Sequence, residues 1–287
     1  MDKTIKVKSQ IIRANYDKSV LNKIDLLKKN KELVTIISDF DATITRAYYN
    51  NEKIESSFGV VMKGKKDCLE FHKDIISLQE KYIPIQLSTS IGDDIKSENM
   101  REWTLKTFEV FLNHKVTKSD IQKVIDENFL QVRDYFTDFL YLIETYKIPF
   151  LIVSAGFGDV VKSFMDIHLN EKISAQIISN FGIFNENDEF SGVDGYVIHP
   201  FNKHHIVKIE KDKNKIPYAI IIGDNISDIN VGVDNLDNTL TIGFFNIKKQ
   251  NPNYLELRKK FYDAFDIVIE DDGTFETVID LLNLIYG

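Results

Sequence analysis

The chain has 287 residues, 43% of them hydrophobic and 28% charged, with 13 Gly and 5 Pro, a composition that excludes collagen-like and disordered classes and implies two lobes or one domain with a large insertion. A net charge of −8 argues against a dedicated binder of nucleic-acid polymers, which needs a basic surface. The single cysteine, Cys68, excludes an internal disulfide or a Cys-based zinc cluster and reads as a small buried hydrophobe in a reducing compartment.

In chain order, the first thirty residues mix charge with short apolar pairs, lack the apolar core of a signal peptide, and read as an amphipathic helix. No uncharged apolar stretch reaches 18 residues, so no membrane span is expected and the chain reads as cytoplasmic. The run ELVTIIS then opens a series of short apolar segments, continued by IPFLIVS, AQIIS, YAIIIG, TLTIGFF and FDIVIE. Such runs suit parallel strands buried on both faces, and the helix-like segments between them predict an α/β doubly wound sheet.

Between Phe58 and Lys147 the periodicity is helical instead. Leu69, Ile75, Ile76 and Tyr82 are expected along one side of a first helix, and Met100, Trp103, Phe108 and Phe111 along a second. Ser119 and Gln122 are spaced as a capping box for a third helix, and VRDYFTDFLYLIETY supplies a fourth. The expected architecture is therefore a Rossmann-like core of residues 1–57 and 148–287, interrupted after its first strand by a helical-bundle cap, 58–147. SNFGIFNENDEFSGVDGYVIH reads as a hairpin turning at Asn185–Glu189, and KIEKDKNKIP as a solvated helix and turn.

The chemistry gathers where apolar runs end. TIISDFDATITR places Asp39 at a strand end, Asp41 two residues on, and Thr43 after that. Two carboxylates there can cap a turn. A calcium loop of the EF-hand type fails, because Ile44 stands at the required glycine and Asn50 at the bidentate glutamate. A third reading, beside the turn cap, is phosphoryl chemistry: Asp39 attacks phosphorus, Asp41 protonates the leaving alkoxide and later activates water, and Mg²⁺ sits between the like charges. A further carboxylate at another strand end is then required, and YAIIIGDNISD supplies Asp224 as a metal ligand, with Asp228 as a water-mediated ligand, a positioning group or a helix-start residue. FLIVSAGFGDVV ends a third run on Ser154, Ala155 and Gly156, where a hydroxyl and backbone N–H groups can approach a phosphate oxygen. Lys203 in HPFNKHH is the cation for that phosphate, while His204 and His205 read as surface residues. The sequon Asn225-Ile226-Ser227 falls inside this loop and is taken as chance.

The order of these pieces, Asp-x-Asp-x-Thr, Ser, Lys and Gly-Asp-x-x-x-Asp, resembles the haloacid dehalogenase superfamily, and the second acid, Asp41, favours its phosphatases. SAGFGDVV, IISNFGIFNENDEFSGVDGYVIHPFNKH, IIIGDNISDINVGVD and FDIVIEDD are similar, more narrowly, to the cytosolic 5′-nucleotidase III, or pyrimidine 5′-nucleotidase, family, from about Leu33 onward. The resemblance implies an Mg²⁺-dependent hydrolase of nucleoside 5′-monophosphates of pyrimidine or 7-methylguanosine type. It implies Asp39 as nucleophile and Asp41 as proton donor. It places the metal on Asp39, Asp224 and the backbone carbonyl of Asp41, and the phosphate on Ser154, Ala155 and Lys203. Gln86 stands where the family has a base-reading glutamate, and Thr107 keeps a family hydroxyl; Phe58 and Trp103 lie where aromatics either stack a base or fill the cap core. An amide brings donors and no charge where the family has a charged acceptor, so an altered base preference is expected. The rival reading is a phosphatase for a small metabolite such as phosphoserine.

Overall fold

The structure, a computed structural model, describes residues 6–7, 10–14, 18–88, 90–169, 173–204, 216–231 and 235–287. Its strands in chain order are β1 (Lys6–Val7), β2 (Gln10–Ala14), β3 (Val34–Ser38), β4 (Tyr48–Tyr49), β5 (Glu52–Lys53) and β6 (Phe150–Phe157). They continue as β7 (Ala175–Asn180), β8 (Gly182–Phe184), β9 (Phe190–Val193), β10 (Tyr218–Gly223), β11 (Thr239–Phe245) and β12 (Ile267–Glu270). Among the described residues, eight form one sheet in the order β1-β2-β12-β11-β10-β3-β6-β7. The six strands from β12 to β7 are the six apolar runs and pair in parallel, whereas β2 joins β12 antiparallel.

Alternate side chains of these strands feed opposite faces, which is why the runs are apolar throughout. Ile36, Ile220 and Ile242 join the large core under α1 (Lys18–Lys29) and the last helix, Glu276–Tyr286. Ile37, Leu151, Ala219 and Ile221 face the other way, and Phe245 and Val268 meet Phe261 and Phe265 near the helix Tyr254–Ala264. The chain passes from β3 to β6 and β7 on one side, then returns past β3 to β10, β11 and β12 on the other. The reversal of direction falls between β3 and β10, and opens a crevice at their carboxyl ends.

The insertion after β5 contains α2 (Val61–Gly64), α3 (Leu69–Leu87), α4 (Asp93–Asn113) and α5 (Lys118–Asp126). The fourth helix of the expected bundle, α6 (Phe136–Tyr146), packs with the sheet instead: Phe139 meets Phe150 of β6 edge-on, and both Phe136 and Phe139 pack on Phe275. Two linkers carry the chain between insertion and sheet. They run antiparallel, with Arg46 N–H donating to the Gln131 carbonyl and Arg133 N–H to the Ile44 carbonyl.

Three further expectations are corrected. The N-terminal segment holds strands β1 and β2 before its helix, because the short apolar pairs complete the sheet edge beside β12. Helix α3 buries Phe71, Ile75 and Tyr82, while Leu69 and Ile76 face solvent; the buried stripe is turned from the one expected. Helix α5 is capped by Thr117 with Asp120, two residues before the expected pair, since the Asp120 carboxylate accepts from the Thr117 N–H at 2.9 Å. Met100, Phe108 and Phe111 are buried as expected, with Trp103 half-buried. The β8–β9 hairpin turns at Asn185, whose side chain accepts from the N–H groups of Asn187 and Glu189. Cys68 is half-buried, with Sγ 3.7 Å from His114 Nδ1. Most of KIEKDKNKIP, and His205, lie outside the described residues; His204 is half-buried.

Candidate active site

Asp39 follows directly on β3, and its N–H donates to the Ile222 carbonyl of β10 at 2.9 Å, so the end of one strand is tied to its neighbour. Asp224 follows directly on β10. The short turn Ile226–Asn230 then carries Asp228 back toward the strand, where its Oδ2 accepts from the Asn225 N–H at 3.0 Å. Carboxylate oxygens of Asp39, Asp224 and Asp228 lie within 4.8 Å of one another. Three hard oxygen donors at that spacing fit Mg²⁺ in their chemistry.

Lys203 stands within this cluster, 4% exposed, its ammonium donating to Asp39 Oδ1 at 2.6 Å and to Asp228 Oδ1 at 2.8 Å. It is a buried counter-charge, unlike an ordinary solvated lysine. Burial works to lower its pKa, but Asp228 and Asp39 outweigh that and hold it above the ordinary value. Burial raises the carboxylates: Asp39 is raised against the pull of Lys203, Asp224 is raised well above its ordinary range with help from Asp39, and Asp228 is pushed up to about 6.

Asp41 is positioned separately. Ser57, from the loop leading into the insertion, donates its N–H to Asp41 Oδ1 at 2.8 Å and its hydroxyl to Oδ2 at 2.7 Å. The Phe157 N–H in turn donates to Ser57 Oγ at 3.2 Å. Burial still lifts Asp41 above the ordinary carboxylate range, against those bonds. Gly156 is required beneath it, because a Cβ there would stand 1.8 Å from Ser57 Oγ and 2.8 Å from Asp41 Oδ2. Ser154 is buried within the same strand, β6, which does not end there as expected but continues to Phe157, and its Oγ accepts the Gly156 N–H at 3.0 Å.

Two buried residues with no local sequence signal brace this assembly. The Asn180 amide donates to the carbonyls of Ala155 and Ile198 at 2.9 Å each and accepts the Ile198 N–H at 2.7 Å, stapling the Ser154–Gly156 segment to the segment that leads to Lys203. Arg133 is fully buried. It donates to the carbonyls of Thr43 at 2.7 Å, Gly273 at 2.6 Å and Ala42 at 2.5 Å, pairs with Asp272 at 3.0 Å, and lies over the Phe244 ring. Thr43 is fully buried, and its Oγ1 has no partner among the described residues.

A cavity of about 310 Å³ joins these groups to the insertion. Asp39, Asp41, Ser154, Ala155, Lys203, Asp224 and Asp228 line one part; Phe58, Gln86, Trp103 and Thr107, from the insertion, line another. Phe58 and Trp103 serve both structure and cavity. Each is half-buried and packs on a neighbour, Phe58 on Phe157 and Trp103 on Tyr82, while contributing to the lining.

Residues 42–286 match the family described as Pyrimidine 5′-nucleotidase (UMPH-1). The 7-methylguanosine phosphate-specific 5′-nucleotidase of Homo sapiens is 30% identical over 267 residues, covering 90% of this chain and 86% of its own. That of Drosophila melanogaster is also 30% identical, over 88% and 80%. The crystal structure of cytosolic 5′-nucleotidase IIIB bound to cytidine superposes with a TM-score of 0.82 at 28% identity, covering 96% of this chain and 93% of that one. A phosphoserine phosphatase shares the fold, with a TM-score of 0.55 at 14% identity over 86% of this chain and 97% of its own. The chain is thus a member of the pyrimidine 5′-nucleotidase family, a phosphomonoester hydrolase on a haloacid dehalogenase-like fold.

Proposed function

We propose that this enzyme hydrolyses nucleoside 5′-monophosphates, of pyrimidine or 7-methylguanosine type, through a phosphoaspartyl intermediate on Asp39. The observation that carries the reading is the cavity itself, which joins a buried carboxylate and lysine cluster to a half-apolar wall bearing two aromatic rings. The Asp39 carboxylate attacks phosphorus, an Asp39 O–P bond forms, and the P–O5′ bond breaks. Asp41, raised by burial and fixed by Ser57, gives its proton to the departing O5′. In the second half Asp41 takes a proton from water as that water attacks phosphorus, which frees orthophosphate and restores Asp39. Ser154, Ala155 and Lys203 hold the phosphate.

Asp39, Asp224 and the Asp41 carbonyl would hold Mg²⁺. Asp228 supports them, because Lys203 occupies one of its oxygens and the Asn225 N–H the other. When bound, the ion offsets the charge of the carboxylates and of the transferring phosphoryl group. We assign α2 to α5 to a cap over this site, refining the expected 58–147 by leaving α6 with the core. The protein acts in the cytoplasm on a nucleotide, with no nucleic-acid polymer or membrane as partner.

The test is Mg²⁺-dependent phosphate release from a panel of nucleoside 5′-monophosphates and phosphoserine, comparing wild type with Asp39→Asn. Release from nucleotides that is lost in the variant is expected. Release from phosphoserine alone would refute the substrate class, and full activity in Asp39→Asn would refute the nucleophile.

A further inference from the structure

Resting on the 5′-nucleotidase reading, the polar groups on the insertion's side of the cavity narrow which bases it takes. Thr104 and Thr107 line it, but their hydroxyls donate at 2.9 Å to the helix carbonyls of Met100 and Trp103. Each hydroxyl has one proton, so both offer a base only lone pairs. Gln79 also lines the cavity, and its Nε2 donates to Glu55 Oε2 at 3.1 Å. Glu55 itself is half-buried in the same lining. Its carboxylate lies close over Gly59, where a Cβ would stand 2.6 Å from Oε2. The bare glycine and the Gln79 amide together fix the position of that charge. Beside the two-way amide of Gln86, this part of the lining is rich in acceptors and carries a negative charge.

We infer that Glu55 is a specificity-determining residue, whose carboxylate accepts hydrogen bonds from an amino-bearing base and disfavours its oxo counterpart. Cytosine presents an N4 amine where uracil presents an O4 carbonyl. An amine meets the carboxylate as a charge-assisted donor, whereas a carbonyl meets it as a second acceptor. Glu55 enters from the loop after β5, separate from the helix that carries Gln86. It places a charge in the cavity without requiring one at position 86.

The test is kcat/KM for cytidine and uridine 5′-monophosphates with Mg²⁺, in wild type and Glu55→Gln. The glutamine keeps the shape, removes the charge and adds donors suited to O4. Wild type is expected to prefer the cytidine nucleotide, and Glu55→Gln to lower that preference by about 10-fold or more, as loss of a charged hydrogen bond implies. The change should fall mainly in KM, with kcat for the better substrate within a few-fold of wild type, a split that general loosening of the fold would not give. A ratio unchanged within about twofold, while both nucleotides are turned over, overturns the inference alone. If wild type releases phosphate from neither of these but does so from 7-methylguanosine 5′-monophosphate, this inference alone falls; if it releases phosphate from no nucleoside 5′-monophosphate, the underlying 5′-nucleotidase reading falls with it.

Discussion

Replacing Arg133 by Met keeps much of the side chain's bulk but removes every donor from a fully buried site. The carbonyls of Thr43 and Gly273 lose bonds of 2.7 and 2.6 Å, the Thr45 carbonyl loses a longer one of 3.3 Å, and Asp272 loses a charge partner at 3.0 Å. The Ala42 carbonyl keeps the Asn246 amide at 2.8 Å, and Asp272 keeps the N–H groups of Ala47 and Tyr48, so those two groups are not orphaned. The two acceptors that lose these short bonds, at about 1–3 kcal/mol each, and a lost cation–π contact on Phe244 of about 1 kcal/mol give roughly 3–7 kcal/mol. For a chain of this size that corresponds to a fall in melting temperature of about 6–14 °C. Arg133→Lys keeps the charge without the planar fork and should lose roughly half as much. Thermal melts followed by circular dichroism measure both. Arg133→Met melting within about 2 °C of wild type would refute the assignment of this residue as the brace beneath the Ala42–Thr45 loop.

Gly156→Ala should lower kcat by about 100-fold or more with the fold retained, because the added methyl displaces Ser57 and Asp41 by about an ångström or more; near-normal kcat would contradict the close packing. Mg²⁺ should raise the melting temperature, and the rise should shrink as pH falls from 7.5 to 5, because protons compete for Asp39 and Asp224, both raised by burial. Asp224→Asn should abolish the rise, and a rise of equal size at every pH would count against these ligands. His199 is lowered to about 4, first by burial and then by Arg101. Between pH 6.5 and 4 the unfolded imidazole therefore binds a proton that the folded one refuses, and stability drains away on acidification. His199→Gln should lose less stability than wild type over that window in urea titrations, and parallel losses would show that His199 does not titrate there.

The sheet was legible because each strand is buried on both faces, which makes an unbroken apolar run with an abrupt polar end. Those ends exposed the chemistry as well: Asp39 and Asp224 stand just beyond the carboxyl ends of β3 and β10, while Ser154 lies inside β6, which runs on to Phe157, just past the last residue paired with β3. The N-terminal strands were misread because an edge pairing of two to five residues leaves too short a pattern to separate from a helix turn. The α5 cap was displaced because an aspartate, shorter than the usual Glu or Gln, closes the box at Asp120. Helix α6 carries the same apolar periodicity as a cap helix, and only its contacts with Phe150 and Phe275, both distant or across a loop, assign it to the sheet. Arg133, Asn180 and Ser57 escaped notice for a related reason. Their partners lie 16 to 140 residues away, and several are backbone carbonyls, which have no residue identity to read.

The pairing of β3 with β10 has a consequence for how this enzyme can diversify. Ser38 and Ile222 are partners in the ladder, so Asp39 and Asp224 begin from backbones held at the hydrogen-bonding pitch of a sheet, about 4.8 Å. That pitch is a property of peptide groups, indifferent to the side chains of the insertion. The sheet acts as a ruler that fixes the separation of the carboxylates, while Glu55, Gln86, Trp103 and Thr107 stand on elements the ruler does not touch. Substitutions in that second set can retune what is bound without detuning the chemistry. A shift in base preference with an unchanged Mg²⁺ requirement is the kind of divergence this architecture permits.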